Sequence, residues 1–171
     1  MPILREGELD IISYSAEQTL RLGARLGSLL KPGDLICLSG DMGAGKTVFS
    51  IGIGRGWGAA AALTSPTFNI VHEHRRASDD QRLYHIDCYR LHGPEDAVLI
   101  GLDELLGGDG ALVIEWPEHI AALLPPERLW IDLRILEPTR RNFTFEATGR
   151  RYEDLIAQFR GLSFGTSNSV R

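Results

Sequence analysis

Apolar positions along the chain change their period several times, and each change predicts a different element. Leu22, Leu26 and Leu29 recur at helical spacing behind the capping box formed by Ser15 and Gln18, which predicts a helix over residues 16–30. Two largely apolar runs, 35–39 ending in Ser39 and 111–115 ending in Glu115, have the length of buried strands. Strict alternation at 129–135 and 143–147 predicts two further strands that turn one face to a core.

Shorter segments between these runs predict the remaining elements. The β-rich stretches 68–75 and 82–91 are separated by a largely polar stretch of six residues, a spacing that favours an antiparallel hairpin. Helices are predicted at 46–55, 94–99, 102–106 and 152–159. From Gly161 the chain is rich in Gly, Ser, Thr and Asn and has little periodicity, so we expect one domain over residues 1–160 and a flexible tail over 161–171.

The segment that joins the first buried strand to the next helix carries a motif, G-x-x-x-x-G-K-[ST], from Gly40 to Thr47. Its glycines let successive backbone N–H groups point at one anion, and the helix that follows adds the positive end of its dipole. Only two of the 18 basic residues are lysines, and one of them is Lys46 in the loop. A compact ammonium is suited to bridging β- and γ-phosphate oxygens. The motif therefore predicts a phosphate site formed by Gly40, Gly43, Ala44, Gly45, Lys46 and Thr47.

This loop and the mixture of elements together predict the fold class. We expect an α/β domain that is P-loop NTPase-like and has three layers. Its central sheet should mix parallel strands around the loop with antiparallel strands from the hairpin and the C-terminal pair.

Two carboxylates follow apolar runs where a metal would be needed. A nucleoside triphosphate carries Mg²⁺, which prefers oxygen ligands, so the Thr47 hydroxyl, Glu115 and Asp87 are the candidates. Glu115 ends a buried run at the edge where ligands bind in open α/β sheets; a surface acid after a strand is its alternative. Asp87 lies inside an apolar run and requires a partner, either the metal or Arg90 in a structural ion pair.

Other polar clusters remain open to two interpretations. Thr64, Ser65 and Thr67 surround a proline and form either an ordinary turn or a switch-like loop that senses the γ-phosphate. A zinc site built from His72, His74 and His85 is disfavoured, because no cysteine or further ligand has metal spacing.

Composition excludes several classes of function. A net charge of −5 argues against a surface built to hold a nucleic-acid backbone, so any link to RNA should be indirect. No apolar stretch approaches the roughly 20 residues that span a bilayer, and the first ten residues lack a basic region followed by an apolar one. We therefore expect a soluble cytoplasmic protein in which Cys37 and Cys88 are buried thiols.

Four segments occur in an order that is typical of one family. They are the phosphate loop and the segments Ser65-Pro66-Thr67-Phe68, His85-Ile86-Asp87-Cys88-Tyr89-Arg90-Leu91 and Ile114-Glu115-Trp116-Pro117. From about residue 11 to residue 148 the chain closely resembles the TsaE family, bacterial ATPases of tRNA threonylcarbamoyladenosine biosynthesis. The resemblance implies slow Mg²⁺-dependent ATP hydrolysis that supports modification of adenosine 37 in tRNA by the TsaB and TsaD proteins.

The resemblance also implies roles for individual residues. Residues 43–48, including Val48, would hold the phosphates, Thr47 and Glu115 the metal, and Asp87 would serve metal binding and turnover. Trp116 matches a functionally implicated aromatic, and Thr19 and Arg140 align with places that approach the nucleotide. Asn69 departs from the pattern, which usually has Ser or Thr there.

The residues lead to a mechanistic hypothesis and to rivals. Lys46 and the loop amides would neutralise charge on the γ-phosphate, Thr47 and Asp87 would position the metal, and Glu115 would orient or deprotonate the attacking water. A small-metabolite kinase, with Arg140 and Arg141 clamping the transferred phosphoryl group, is one alternative. A nucleotide-gated binding module with little turnover is another, whereas a GTPase is disfavoured because the chain has no N-K-x-D element.

Overall fold

The computed structural model describes residues 7–61 and 70–164. Thr64, Ser65 and Thr67, the predicted switch-like loop, lie outside the described residues, as does Asn69. The strands are β1 Glu8–Ser13, β2 Leu35–Gly40, β3 Val71–Arg75, β4 Arg82–Asp87, β5 Ala111–Glu115, β6 Arg128–Glu137 and β7 Arg140–Thr148. The helices are α1 Ala16–Gly27, α2 Lys46–Trp57, α3 Pro94–Leu99, α4 Leu102–Leu106 and α5 Arg150–Phe164, with short 3₁₀ turns at Pro117–His119 and Ala121–Leu123.

The seven strands form one sheet in the order β1-β7-β6-β2-β5-β4-β3. Its four central strands, β6, β2, β5 and β4, are parallel, and antiparallel pairs lie at both edges. Every residue of β5 and five of the six residues of β2 are buried, as expected for parallel strands covered on both faces. The predicted α/β class, the mixed sheet and the β3–β4 hairpin are confirmed.

Helices α1 and α2 pack against each other through glycines. A Cβ atom added to Gly27 would lie 2.0 Å from the carbonyl oxygen of Ile53, and one added to Gly56 would lie 1.8 Å from that of Ala24. Only glycine allows the two backbones to approach this closely. The contact holds α2, the helix into which the phosphate loop leads, against α1.

Several element bounds differ from the predictions. Strand β1 was not predicted; it pairs antiparallel with β7, and its charged residues Glu8 and Asp10 alternate with buried apolar ones. Helix α1 ends at Gly27 instead of residue 30, because the N–H groups of Leu29 and Leu30 bond to carbonyls three residues earlier in a tighter turn.

Helix α5 crosses the boundary predicted for the tail. It begins at Arg150 and continues to Phe164, so residues 161–164 are helical rather than frayed. Residues 165–171 lie outside the described part of the chain, and a flexible tail there stays a prediction.

The two cysteines are buried free thiols, as predicted. Burial raises the pKa of Cys37 to about 12 and that of Cys88 to about 12. Within residues 7–61 and 70–164, none of the helices combines the length and the apolarity that crossing a membrane requires.

Candidate functional site

The phosphate loop leaves the carboxyl end of β2, and its glycines serve two different needs. Gly40 has φ +124°, and a Cβ atom there would lie 1.9 Å from the carbonyl oxygen of Leu133 on β6. Gly43 and Gly45 have φ +77° and +102°, and a Cβ atom on Gly43 would meet nothing within 4 Å. Packing on the sheet therefore requires Gly40, whereas Gly43 borders open space in which a ligand fits.

Backbone amides at the start of α2 face this loop. Gly45 is the N-cap residue, and the first helical hydrogen bond runs from the Phe49 N–H to its carbonyl oxygen, at 2.8 Å. The amides of Lys46, Thr47 and Val48 precede that bond, so helix geometry leaves them for a ligand. Amides at the positive end of a helix dipole are an arrangement suited to binding an anion.

The Lys46 ammonium lies inside the loop and is buried. Its Nζ donates to the carbonyl oxygens of Gly40, at 2.8 Å, and Asp41, at 2.7 Å, and lies 4.1 Å from the centre of the Trp116 ring. Burial lowers the pKa of Lys46, and the negative charge of Glu115 acts in the opposite direction. An ammonium has three donors, so capacity remains for an anion in the loop.

Glu115, at the carboxyl end of β5, is buried and touches side chains from two other elements. Its Oε1 accepts a hydrogen bond from the Thr47 hydroxyl at 3.2 Å, and its Oε2 lies 2.5 Å from Nε2 of His85 on β4. The structure thus places Glu115 at the edge of the sheet where the parallel strands end, beside the first turn of α2.

Asp87 lies opposite Glu115 in the parallel register of β4 and β5. Its Oδ1 accepts a hydrogen bond from the Tyr89 N–H at 3.0 Å. Both carboxylates face one cavity of about 390 Å³, which is also lined by Met42, Gly43, Gly45, Lys46, Thr47, Val48, Tyr89 and Trp116. Three separate sequence segments therefore meet at this cavity, as their motifs predicted.

Trp116 has unusual backbone geometry on the wall of this cavity. Its φ of 58° is the one positive value at a non-glycine residue in the described chain. Its ring lies 5.1 Å from that of Tyr89 and covers the Lys46 ammonium. Since left-handed backbone costs a bulky residue free energy, the surrounding contacts must hold Trp116 in place.

A second cavity, of about 370 Å³, lies between the phosphate loop, the start of α1 and the β6–β7 turn. Thr19 lines it, and the Thr19 hydroxyl lies 2.8 Å from that of Ser13. Arg141 lines it too, with Nη2 3.5 Å from the carbonyl oxygen of Gly43. Arg140, which the resemblance aligns with a place near the nucleotide, pairs with Glu137 at 3.5 Å and lies over the ring of Tyr14, which lines this cavity.

Sequence reasoning did not identify the contact between His85 and Glu115. The three histidines considered for zinc share one face of β3 and β4, but no group of three or more His, Cys, Asp or Glu side chains in the described ranges is arranged to hold a metal ion. His85 precedes Asp87 by two residues on the same face of β4. This spacing of two residues was the one signal in the sequence that His85 lies on the same side of the sheet as the candidate metal ligand Asp87.

The mixed sheet, the glycine-rich turn after β2 and the helix that starts inside it define an α/β protein of the P-loop NTPase fold class. The family model described as threonylcarbamoyl adenosine biosynthesis protein TsaE matches residues 13–143. The chain therefore belongs to the TsaE family.

Individual relatives agree with the family model. The tRNA threonylcarbamoyladenosine biosynthesis protein TsaE of Bacillus subtilis is 39% identical over 146 residues, which is 85% of this chain and 90% of the relative. The TsaE protein of Treponema pallidum is 41% identical over 134 residues, or 78% of this chain and 96% of the relative. The crystal structure of Bacillus subtilis YdiB superimposes with a TM-score of 0.75 at 35% identity, covering 89% of this chain and 93% of that one.

Proposed function

We propose that this protein is a Mg²⁺-dependent ATPase that supports threonylcarbamoylation of adenosine 37 in tRNA by acting on a complex of TsaB and TsaD. Membership of the family assigns the chain to tRNA threonylcarbamoyladenosine biosynthesis. The observation that carries the finer proposal is the meeting of Lys46, Thr47, Asp87 and Glu115 around one cavity next to an anion-binding loop.

The donor atoms at this cavity fit magnesium. Thr47 offers a hydroxyl, and Asp87 and Glu115 offer carboxylates, which are the hard oxygen ligands that Mg²⁺ prefers. When bound, the ion would neutralise charge on the β- and γ-phosphate oxygens.

The loop would hold the triphosphate in a fixed position for hydrolysis. The amides at the start of α2 donate to phosphate oxygens, and the Lys46 ammonium offsets the charge that develops on the γ-phosphate. Glu115 accepts a proton from the attacking water or orients it, since a second lone pair on each oxygen remains beyond the contacts to Thr47 and His85.

The second cavity is suited to the nucleoside. It adjoins the same glycines as the first, and its lining includes Ala16 and Val48 beside the ring of Tyr14 and the hydroxyl of Thr19. An apolar slot with a few polar groups is the usual form of a base site. We propose that it takes the adenosine part of ATP, with Arg141 close to the phosphates.

The pathway role implies where and with what the protein works. We propose that it acts in the cytoplasm and contacts TsaB and TsaD rather than tRNA, since its net charge is −5. Hydrolysis would then drive a conformational cycle of the protein complex rather than transfer phosphate to a small molecule.

Phosphate release tests the proposal. The purified chain would be assayed with ATP and Mg²⁺, alone and with TsaB and TsaD, and with GTP in place of ATP. We expect slow release that depends on Mg²⁺, rises with the two partners and is lower with GTP. A phosphorylated small-molecule product with little free phosphate would instead identify a kinase, and nucleotide binding without turnover in any mixture would identify a binding module.

A further inference from the structure

His85 is a fully buried side chain in direct contact with the candidate catalytic carboxylate. Its relative exposure is 0%, that of Glu115 is 3%, and Nε2 of His85 lies 2.5 Å from Oε2 of Glu115. His85 does not line the cavity that holds Lys46 and Thr47, so it does not reach the space for substrate. Any influence on the reaction must therefore pass through Glu115.

The carboxylate of Glu115 is held from both sides. Thr47 on α2 bonds to Oε1, and His85 on β4 bonds to Oε2. The terminal torsion of a glutamate is broad and has no strongly preferred value. Two hydrogen bonds from two rigid elements remove that freedom and leave one orientation of the carboxylate relative to the phosphate loop.

The other ring nitrogen indicates which atom of His85 carries the hydrogen. Nδ1 is buried and has no hydrogen-bond partner within the described part of the chain, whereas Nε2 faces a carboxylate. A donor on Nδ1 would be buried without an acceptor, at a cost of about 1–3 kcal/mol. The hydrogen is therefore assigned to Nε2, and His85 donates to Glu115.

We propose that His85 is a positioning residue: it fixes the Glu115 carboxylate so that Oε1 stays on Thr47 and the lone pairs that face the cavity serve the attacking water. This inference rests on the proposed ATPase function. It gives a role to His85, which opens one of the four family segments but received no role from the sequence. Hydrogen-bond partners behind a metal ligand are typically worth about 10- to 100-fold in activity, and Glu115 is one of the proposed Mg²⁺ ligands.

The alternative is that His85 only fills space in the core, and two substitutions separate these roles. His85→Leu removes the donor and keeps an apolar side chain of similar volume. His85→Gln places an amide N–H close to the position of Nε2. His74→Leu is the matched control, because it replaces another buried histidine on the same sheet face, at the strand next to β4.

Each variant would be assayed for kcat and KM with ATP and Mg²⁺, together with TsaB and TsaD, and for its unfolding temperature. We expect His85→Leu to lower kcat roughly 10- to 100-fold with KM for ATP unchanged, because the loop that binds the phosphates is intact. His85→Gln should recover most of the loss, and His74→Leu should retain wild-type kcat.

Two results would overturn the inference: wild-type kcat in His85→Leu, or a folded His85→Gln as impaired as His85→Leu. If His85→Leu does not fold, His85→Gln is compared with His85→Asn, whose shorter amide cannot reach Glu115; equal kcat in those two would also reject it. A wild-type protein that neither binds nor hydrolyses ATP would instead reject the proposed function, and the inference with it.

Discussion

Both ends of the parallel strands bury charged groups, but the two ends differ in how those charges are satisfied. At the amino end, Asp34 precedes β2 and accepts hydrogen bonds from the Lys31 N–H at 2.7 Å and from Nε and Nη2 of Arg151 at 2.9 and 2.7 Å. Arg151 also bonds to the carbonyl oxygen of Leu29, which ties α5 to the turn before β2. Both oxygens of the Asp34 carboxylate are therefore paired with the Arg151 guanidinium, and the two charges neutralise each other.

Charged side chains line a cavity of about 390 Å³ at each end, but at the carboxyl end Lys46 and Glu115 keep hydrogen-bonding capacity beyond their contacts within the protein. Hydrogen bonding to Asp34 raises the pKa of Arg151, so the fold favours that cation. Burial lowers the pKa of Lys46, so the fold disfavours the cation there. We infer that buried charge at the amino end serves the stability of the structure, whereas buried charge at the carboxyl end serves the binding of an anion.

The largest expected effect is on turnover at the carboxyl end. Glu115→Gln removes the acceptor of a proton and should lower the rate of ATP hydrolysis by roughly 10²- to 10⁴-fold while ATP still binds. Phosphate-release kinetics and calorimetry measure the two quantities. Glu95→Gln, at an exposed acid on α3, is the control, and an unchanged rate in Glu115→Gln would remove its catalytic role.

Substitution of Lys46 should affect affinity rather than folding. A hydrogen bond to a charged group contributes about 1.5–3 kcal/mol, so Lys46→Ala should weaken ATP binding roughly 10- to 100-fold with little change in unfolding temperature. Lys31, the other lysine, is exposed at the opposite edge and supplies the control Lys31→Ala. Equal loss of affinity in both variants would contradict the assignment.

The amino end should show the reverse pattern. Asp34→Asn removes the charge that Arg151 binds and should lower the free energy of unfolding by about 1.5–3 kcal/mol, without changing ATP affinity. Denaturant unfolding and calorimetry test both parts, with Asp80→Asn on the exposed β3–β4 turn as the control. A folded, fully stable Asp34→Asn that binds ATP poorly would erase the distinction between the two ends.

The smallest effect concerns His74, which is buried on the edge strand β3. Burial, and to a lesser extent the nearby His85 and His72, lowers the pKa of His74 below its ordinary 6.5. Between the two pKa values the unfolded chain binds more protons at this histidine than the native chain does. The contribution of neutral His74 to the free energy of unfolding is therefore fully present above about pH 6.5 and is lost as the pH falls toward the folded pKa. From about pH 7 to about pH 5 the unfolding free energy should fall less in His74→Gln than in the wild type, and parallel curves would reject the role.

Much of the fold could be predicted because glycines and turn residues separate its helices and strands. Helices α3 and α4 and strand β5 match their predicted bounds, since Gly93, Gly101 and the turn at 107–110 separate them. Strand β1 was not predicted because its partner strand β7 lies more than a hundred residues away, with Ile11 opposite Phe143. Hydrogen bonding to that distant strand, and not its own composition, keeps the segment extended. The close α1–α2 contact was likewise invisible, because glycines in a helix do not reveal which backbone they meet.

The candidate site likewise has parts that local sequence patterns predict and parts that depend on the order of the strands. The phosphate loop and the acid that ends β5 are local patterns, and the structure brings them together. The contact between His85 and Glu115 depends on β4 lying next to β5, an order that periodicity does not encode. Arg141 lines the second cavity and Arg140 lies over the ring of Tyr14 on its wall, so the role of Arg140 near the nucleotide stays a prediction.

A crystal structure of the chain grown with ATP and Mg²⁺ tests the central claim most directly. The account predicts the triphosphate against the amides of residues 43–48, with Lys46 on its terminal phosphates and the metal between it and Thr47, Asp87 and Glu115. Triphosphate density at any other place on the molecule would contradict the account.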